Sequence, residues 1–143
     1  CAAVGLANIA HSRGILEKHR ENAHVYSRIF DSSALVKPLK VPENALSSHW
    51  VYTVLVDTAV DRDVLLQTLN NDFGIEAGLV HIPNDGYTCF NESKSSLPGV
   101  RKFEAQQISL PVGWWLEKHD IEHIANTVLK LCDCDARIVQ ELI

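Results

Sequence analysis

Trp50-Val51-Tyr52-Thr53-Val54-Leu55-Val56, followed after a short polar stretch by Asp61-Arg62-Asp63-Val64-Leu65-Leu66-Gln67-Thr68-Leu69-Asn70-Asn71, reads as a strand handing over to a helix. The first run is β-branched and aromatic and is bounded by Ser47-Ser48 and Asp57, which suits a pleated, half-buried surface. In the second, Asp61 stands where it can cap a helix running to about Asn71, with Val64, Leu65, Leu66 and Leu69 as its apolar side. Gly74 follows as a stop.

Working toward the C-terminus, Glu76 to Ile82 predicts a second strand and Asn91 to Ser96 a polar loop. A short helix is expected over Val100 to Gln106 and a third strand over Gln107 to Leu110. Glu117 to about Leu131 is the clearest amphipathic helix, with Ile121, Ile124, Val128 and Leu131 on one stripe. Ala136 to Ile143 predicts a short terminal helix of its own. Toward the N-terminus, Pro38 and Pro42 mark a connection, and Leu35-Val36 is a candidate short strand. Ala2 to Phe30 reads as one long helix, because Ile9, Leu16, Ala23 and Phe30 recur at seven-residue intervals with His19 and Tyr26 on the same side. Gly14 interrupts that pattern and weakens it by about 1 kcal/mol relative to Ala, so a kink or a close contact is expected there. This order predicts an α+β, two-layer fold: helices packed on a small, mostly antiparallel three-stranded sheet.

Residues 1–10 are apolar nearly all round, which a helix tolerates only when most of its sides are covered. Nothing else in so short a chain would cover Val4, Leu6 and Ile9 together. The expectation is a piece of a longer protein whose first helix meets another domain or another subunit.

With 143 residues, 46% of them hydrophobic and 22% charged, the chain has the size and composition of one globular domain. A net charge of −5 argues against a nucleic-acid or anionic-membrane surface. No apolar run reaches the length of a membrane span, and no basic segment precedes the apolar start as in a signal peptide. Cys1, Cys89, Cys132 and Cys134 form neither a zinc spacing nor a CxxC pair, so reduced thiols in a cytoplasmic protein are expected.

His119-Asp120-Ile121-Glu122-His123 matches an H-x-x-E-H zinc pattern, which would make a small metal hydrolase. Both His project away from the Ile121–Ile124–Val128 stripe, and few residues remain downstream for a third ligand. Asp120 and Glu122 also have an ordinary role as acidic residues in the first turns of a helix. No metal site is expected. His81, Asn84 and Asp85 are the better candidates: an imidazole and an amide just past a strand can hold phosphate or sugar hydroxyls. Equally, Asn84-Asp85-Gly86 can be an Asx-type bend with no ligand. Trp114 and Trp115 can stack on a nucleotide base, but at least one is expected to pack in a core or subunit interface. His19 reads as a satisfied core or interface residue. With no phosphate-cradling Gly-rich loop and no nucleophile elbow, no catalytic residue is expected in this chain.

Several of these segments together resemble the C-terminal small domain of DegT-type (DegT/StrS) sugar aminotransferases. They are Ala2-Ala3-Val4-Gly5-Leu6-Ala7, His49-Trp50-Val51-Tyr52, Gly74-Ile75, and His81 with Asn84-Asp85 and Phe90. Leu97-Pro98-Gly99 and Pro111-Val112-Gly113-Trp114-Trp115 complete the set. The likeness runs to about Leu131, so it implies a small domain over residues 1–131 and an extension of it over 132–143. Family members are fold-type I enzymes that use pyridoxal phosphate to move an amino group from an amino-acid donor to a nucleotide-linked keto-sugar. The resemblance implies that the cofactor Lys lies in a large domain outside this chain. It also implies that the chain alone is inactive, that His81, Asn84 and Asp85 reach the substrate, and that the whole enzyme is a homodimer. Pro83 stands where members often carry Arg, and Asn8 where they often carry Gln. The alternative is a non-catalytic ligand-binding or protein-interaction domain of the same fold.

Overall fold

The computed structural model describes residues 2–80, 82–93 and 96–141; the side chains at 91–93 and 136–141 are left aside. Helix α1 spans Ala2–Phe30, strand β1 Val36–Pro38, strand β2 Tyr52–Val56 and helix α2 Arg62–Asn71. Helix α3 then covers Pro98–Gln106, strand β3 Gln107–Leu110 and helix α4 Lys118–Glu141. The sheet is antiparallel throughout, in the order β1-β2-β3. The predicted class therefore holds, as helices packed on a small three-stranded sheet.

Register follows from side-chain alternation. Val36 pairs with Val56, Tyr52 with Leu110 and Val54 with Ile108, so one face of the sheet is continuously apolar. Thr53 and Ser109, opposite each other, turn the other way and join their hydroxyls at 2.9 Å. On the core face, Tyr26 stacks on Tyr52 with ring centroids 4.8 Å apart and Phe30 continues the cluster. From α4, Ile121, Ala125, Val128 and Cys132 complete the core, with Leu65 and Leu69 from α2. Asp61 caps α2 as expected, its carboxylate accepting from the amides of Asp63 and Val64. Gly74 takes a φ of +63°, a backbone conformation that glycine adopts without the strain a Cβ brings.

Three expectations need correction. The strand expected over Glu76 to Ile82 does not form over its described residues, where only Gly78 pairs with Ser109, through hydrogen bonds of 3.0 and 2.9 Å, and His81 lies outside them. The Ala77 amide turns back to the Ile75 carbonyl, and the Asn70 amide takes the Ala77 carbonyl, so the ladder cannot propagate. The third strand is instead β1, on the opposite edge. Residues 136–141 do not form a separate helix, because α4 runs unbroken to Glu141; Cys132-Asp133-Cys134-Asp135 contains no Gly or Pro to stop it. Finally, the strand read from Trp50 begins at Tyr52, leaving Trp50 exposed.

Helix α1 is divided by its surroundings. From Asn22 to Phe30 it enters the core, whereas residues 2–14 are exposed throughout, Val4, Leu6 and Ile9 among them. The apolar start therefore has no cover within the described residues. Gly14 is open on its surface and makes no close contact.

Candidate functional site

The segment after the Gly78 bridge carries the candidate polar residues. Pro83 enters a 3-10 turn over Asn84–Gly86, closed by main-chain bonds from the Gly86 amide to the Pro83 carbonyl and from the Tyr87 amide to the Asn84 carbonyl. A second such turn, Thr88–Ser93, follows directly. Main-chain hydrogen bonds therefore close the bend that an Asx-type turn was expected to make. Asn84 lies on the exposed side. Asp85 turns inward, its side chain 15% exposed, and accepts from Arg101 Nη2 on α3. Arg101 Nη1 bonds Glu104 one turn further along, at 2.9 Å. Glu104 and Asp85 together hold the guanidinium more firmly protonated than an isolated arginine. His81, the third candidate, lies outside the described residues.

A second surface surrounds the paired tryptophans. The buried amide of Asn22 donates to the carbonyls of Val112, Gly113 and Leu116, and the Tyr26 hydroxyl donates to Pro111 at 2.8 Å. These bonds fix the Pro111–Leu116 turn against α1 and leave both indoles outside. Neither Trp114 nor Trp115 fills this domain's core, which leaves a subunit interface as the other place expected for at least one; they are 52% and 65% exposed and meet edge to face. A bulky pair in so tight a turn has no inward route once Val112 occupies the core. Trp114 lies between two open grooves of about 520 and 590 Å³ along α1, the larger bounded also by Leu16, His19 and Trp50.

His19 is satisfied, as read: its Nδ1 donates to the carbonyl of His49 at 2.9 Å. Arg20 donates to Ser47, so α1 holds the 47–49 loop at two points. His49 sits at a φ of +49°, and burial, with Arg20 and His19 nearby, lowers its pKa. His119 is exposed, and its Nε2 lies 3.3 Å from Asp120. Among the described residues, no three His, Cys, Asp or Glu side chains converge as metal ligands.

A pyridoxal phosphate cofactor needs a lysine amine in a pocket able to enclose it. Lys18 borders the 520 Å³ groove but pairs with Glu117, and Lys118 pairs with Glu122, each at 3.5 Å. Lys37 and Lys102 share a cavity with Asp57, yet it holds only about 190 Å³. Ligand pockets usually begin near ~300 Å³. These arrangements do not fit the cofactor.

Arg101 and Asn22 were not singled out from sequence. Asn22 had a signal: a polar residue four positions before Tyr26 on the same helix face. Arg101 had none, because it meets Asp85 only through the tertiary fold.

The model of the DegT/DnrJ/EryC1/StrS aminotransferase family matches residues 1–129. Among curated proteins, the chain is 25% identical over 128 residues to GDP-perosamine synthase of Escherichia coli O157:H7, covering 90% of this chain and 34% of that protein. It is 26% identical over 133 residues to the UDP-4-amino-4,6-dideoxy-N-acetyl-beta-L-altrosamine transaminase of Helicobacter pylori, covering 90% and 35%. Among solved structures, AtS13 from Actinomadura melliaura superposes with a TM-score of 0.82 at 36% identity, over 90% of this chain and 34% of that one. The chain thus spans about a third of the length of the relatives it matches. No helix is long and apolar enough to cross a membrane among the described residues.

Proposed function

The chain belongs to the DegT/DnrJ/EryC1/StrS aminotransferase family, and on that premise we propose that it is the C-terminal small domain of a nucleotide-sugar aminotransferase. The whole enzyme would move an amino group from an amino-acid donor to a nucleotide-linked keto-sugar in the cytoplasm. Residues 1–131 form the domain and 132–143 its extension. The observation that carries this reading is the divided first helix: one half is fixed in a core, and the other presents Val4, Leu6 and Ile9 exposed among the described residues. An apolar surface of that kind belongs to an interface. Here it meets the large domain of the same protein and, in a homodimer, a second subunit. The two curated relatives, both named for amino-sugar nucleotides, support the substrate class.

Pyridoxal phosphate supplies an electron sink for the carbon bearing the amine. Its lysine lies outside this chain, in the large domain. What this chain contributes is one wall of the cleft. The exposed Asn84 amide donates to a phosphate or hydroxyl oxygen and its carbonyl accepts a hydroxyl proton; Asp85 and His81 are the other candidates in the same stretch of sequence.

The test is to purify the full-length protein and the 1–143 chain separately. The full-length protein should show the visible absorbance of bound cofactor and form GDP-perosamine, the altrosamine nucleotide or a related amino sugar. The chain alone should do neither. A full-length protein without cofactor or amino-sugar product would leave the alternative, a non-catalytic binding or interaction domain of the same fold.

A further inference from the structure

Asn84 and Asp85 are adjacent in sequence but opposite in circumstance, and the structure assigns them different roles: Asn84 contacts the sugar nucleotide, while Asp85 is a positioning residue held by Arg101. This rests on the reading that the 84–90 segment lines the substrate cleft. Asp85 spends its carboxylate on the Arg101 guanidinium and is mostly buried, whereas Asn84 is exposed on the outer side of the same short turn. The paired carboxylate is turned toward α3 with only 15% of its side chain exposed, so little of it is open to a sugar hydroxyl. Arg101 in turn is held by Glu104, so the turn is fastened to α3 through a chain of three side chains. With Pro83 fixing the entry and main-chain bonds closing the bend, the ion pair is the one side-chain tie seen between the Asn84–Gly86 turn and α3 among the described residues. Fixing that turn sets where the Asn84 amide points and removes ordering cost on binding.

The experiment is a double-mutant cycle in the full-length protein, with the KM and kcat of GDP-perosamine and of the altrosamine nucleotide followed in the deamination direction. Asp85→Ala and Arg101→Ala should each raise KM by about three- to fivefold, the scale of a partly exposed ion pair, with kcat within about twofold. The double variant should be no worse than either single, and Arg101→Lys should recover most of the loss. If Asp85→Ala raises KM well beyond Arg101→Ala and the two effects multiply, Asp85 touches substrate itself and the assignment is overturned. Amide exchange over residues 84–90 gives a readout that needs no substrate. Both singles should raise it alike, and a rise in only one would overturn the anchor. Asn84→Ala separates the two levels: an unchanged KM there sinks the cleft reading, whatever the Asp85–Arg101 cycle shows.

Discussion

The side-chain amide of Asn22 donates to the carbonyl oxygen of Gly113 at 3.0 Å, joining the first helix to a turn 91 positions away. The same nitrogen serves the carbonyls of Val112 and Leu116, at 3.4 and 3.3 Å. One buried amide thus does for this turn what a strand ladder would do elsewhere, donating to main-chain oxygens on the side of the turn that faces α1. Replacing Asn22 with Ala should destabilise the fold by about 1–3 kcal/mol, since the Val112 and Leu116 carbonyls lose its donor and the Gly113 carbonyl keeps only the Leu116 amide. Urea unfolding followed by circular dichroism measures this, and a loss below a few tenths of a kcal/mol would show that water takes over the role.

Gly113 is open to a second test. A Cβ built there would lie 2.3 Å from the Trp115 indole, so any side chain must push the ring away. Because Trp115 is exposed, the ring has room to swing. Gly113→Ala should therefore change stability by less than about 1 kcal/mol while shifting indole emission and breaking the edge-to-face contact with Trp114. Unchanged emission would mean that the indole does not rest over Gly113.

Alkaline pH should weaken the fold from the core outward. Burial, then Asp135 and Asp133, push the Cys132 thiol from an ordinary 9.0 up to about 12. Burial likewise raises the Tyr26 and Tyr52 phenols above an ordinary 10.0. Below pH 9 these groups hold their protons whether folded or not, and their contribution is complete. Above it the unfolded chain gives up protons first, so stability falls as pH rises, by at least about 1 kcal/mol per unit between roughly pH 10 and 11. Thermal melts at pH 8, 10 and 11 check the slope. At pH 8 in the native state, iodoacetamide should label Cys89 and Cys134, which are exposed, and spare Cys132, which is buried.

The open half of α1 predicts a separation of effects. Leu6→Ser and Ile9→Ser fall on residues 71% and 64% exposed, so they should leave the domain's own stability within about 0.5 kcal/mol. They should nevertheless lessen self-association of the isolated chain and weaken assembly of the full-length protein. Sedimentation velocity distinguishes these outcomes, and equal self-association of variant and parent would remove α1 from the interface.

The helices were legible because their signals are local. Asp61 announced the start of α2, and the Ile121–Ile124–Val128 stripe placed α4 on the core. Three buried residues of that helix, Ala125, Thr127 and Cys132, lie beyond that stripe, because neighbouring elements cover more of the surface than a strict period implies. The sheet was less legible. Glu76 to Ile82 has strand-like residues, but a turn at Ile75–Ala77 and the Asn70 side chain compete for its main-chain groups. Val36–Pro38 is too short to show a period at all. At the candidate site, the Asn84–Asp85 turn was readable from its residue types, whereas the pairing of Asp85 with Arg101 was not. Sixteen positions separate the two, and no local pattern links them.

Helix α1 also sets a phase. Its core half is indexed by Asn22, Tyr26 and Phe30, and its open half projects from that fixed point as a rod about 20 Å long. Each residue of an α-helix turns the next by about 100°, so adding or deleting one position between Gly14 and Lys18 would rotate Leu6 and Ile9 by that angle relative to the sheet. The contacts of Lys18, His19 and Arg20 and the core beyond them would be kept, yet Leu6 and Ile9 would face a different direction. This stretch should therefore accept substitutions far more readily than changes of length.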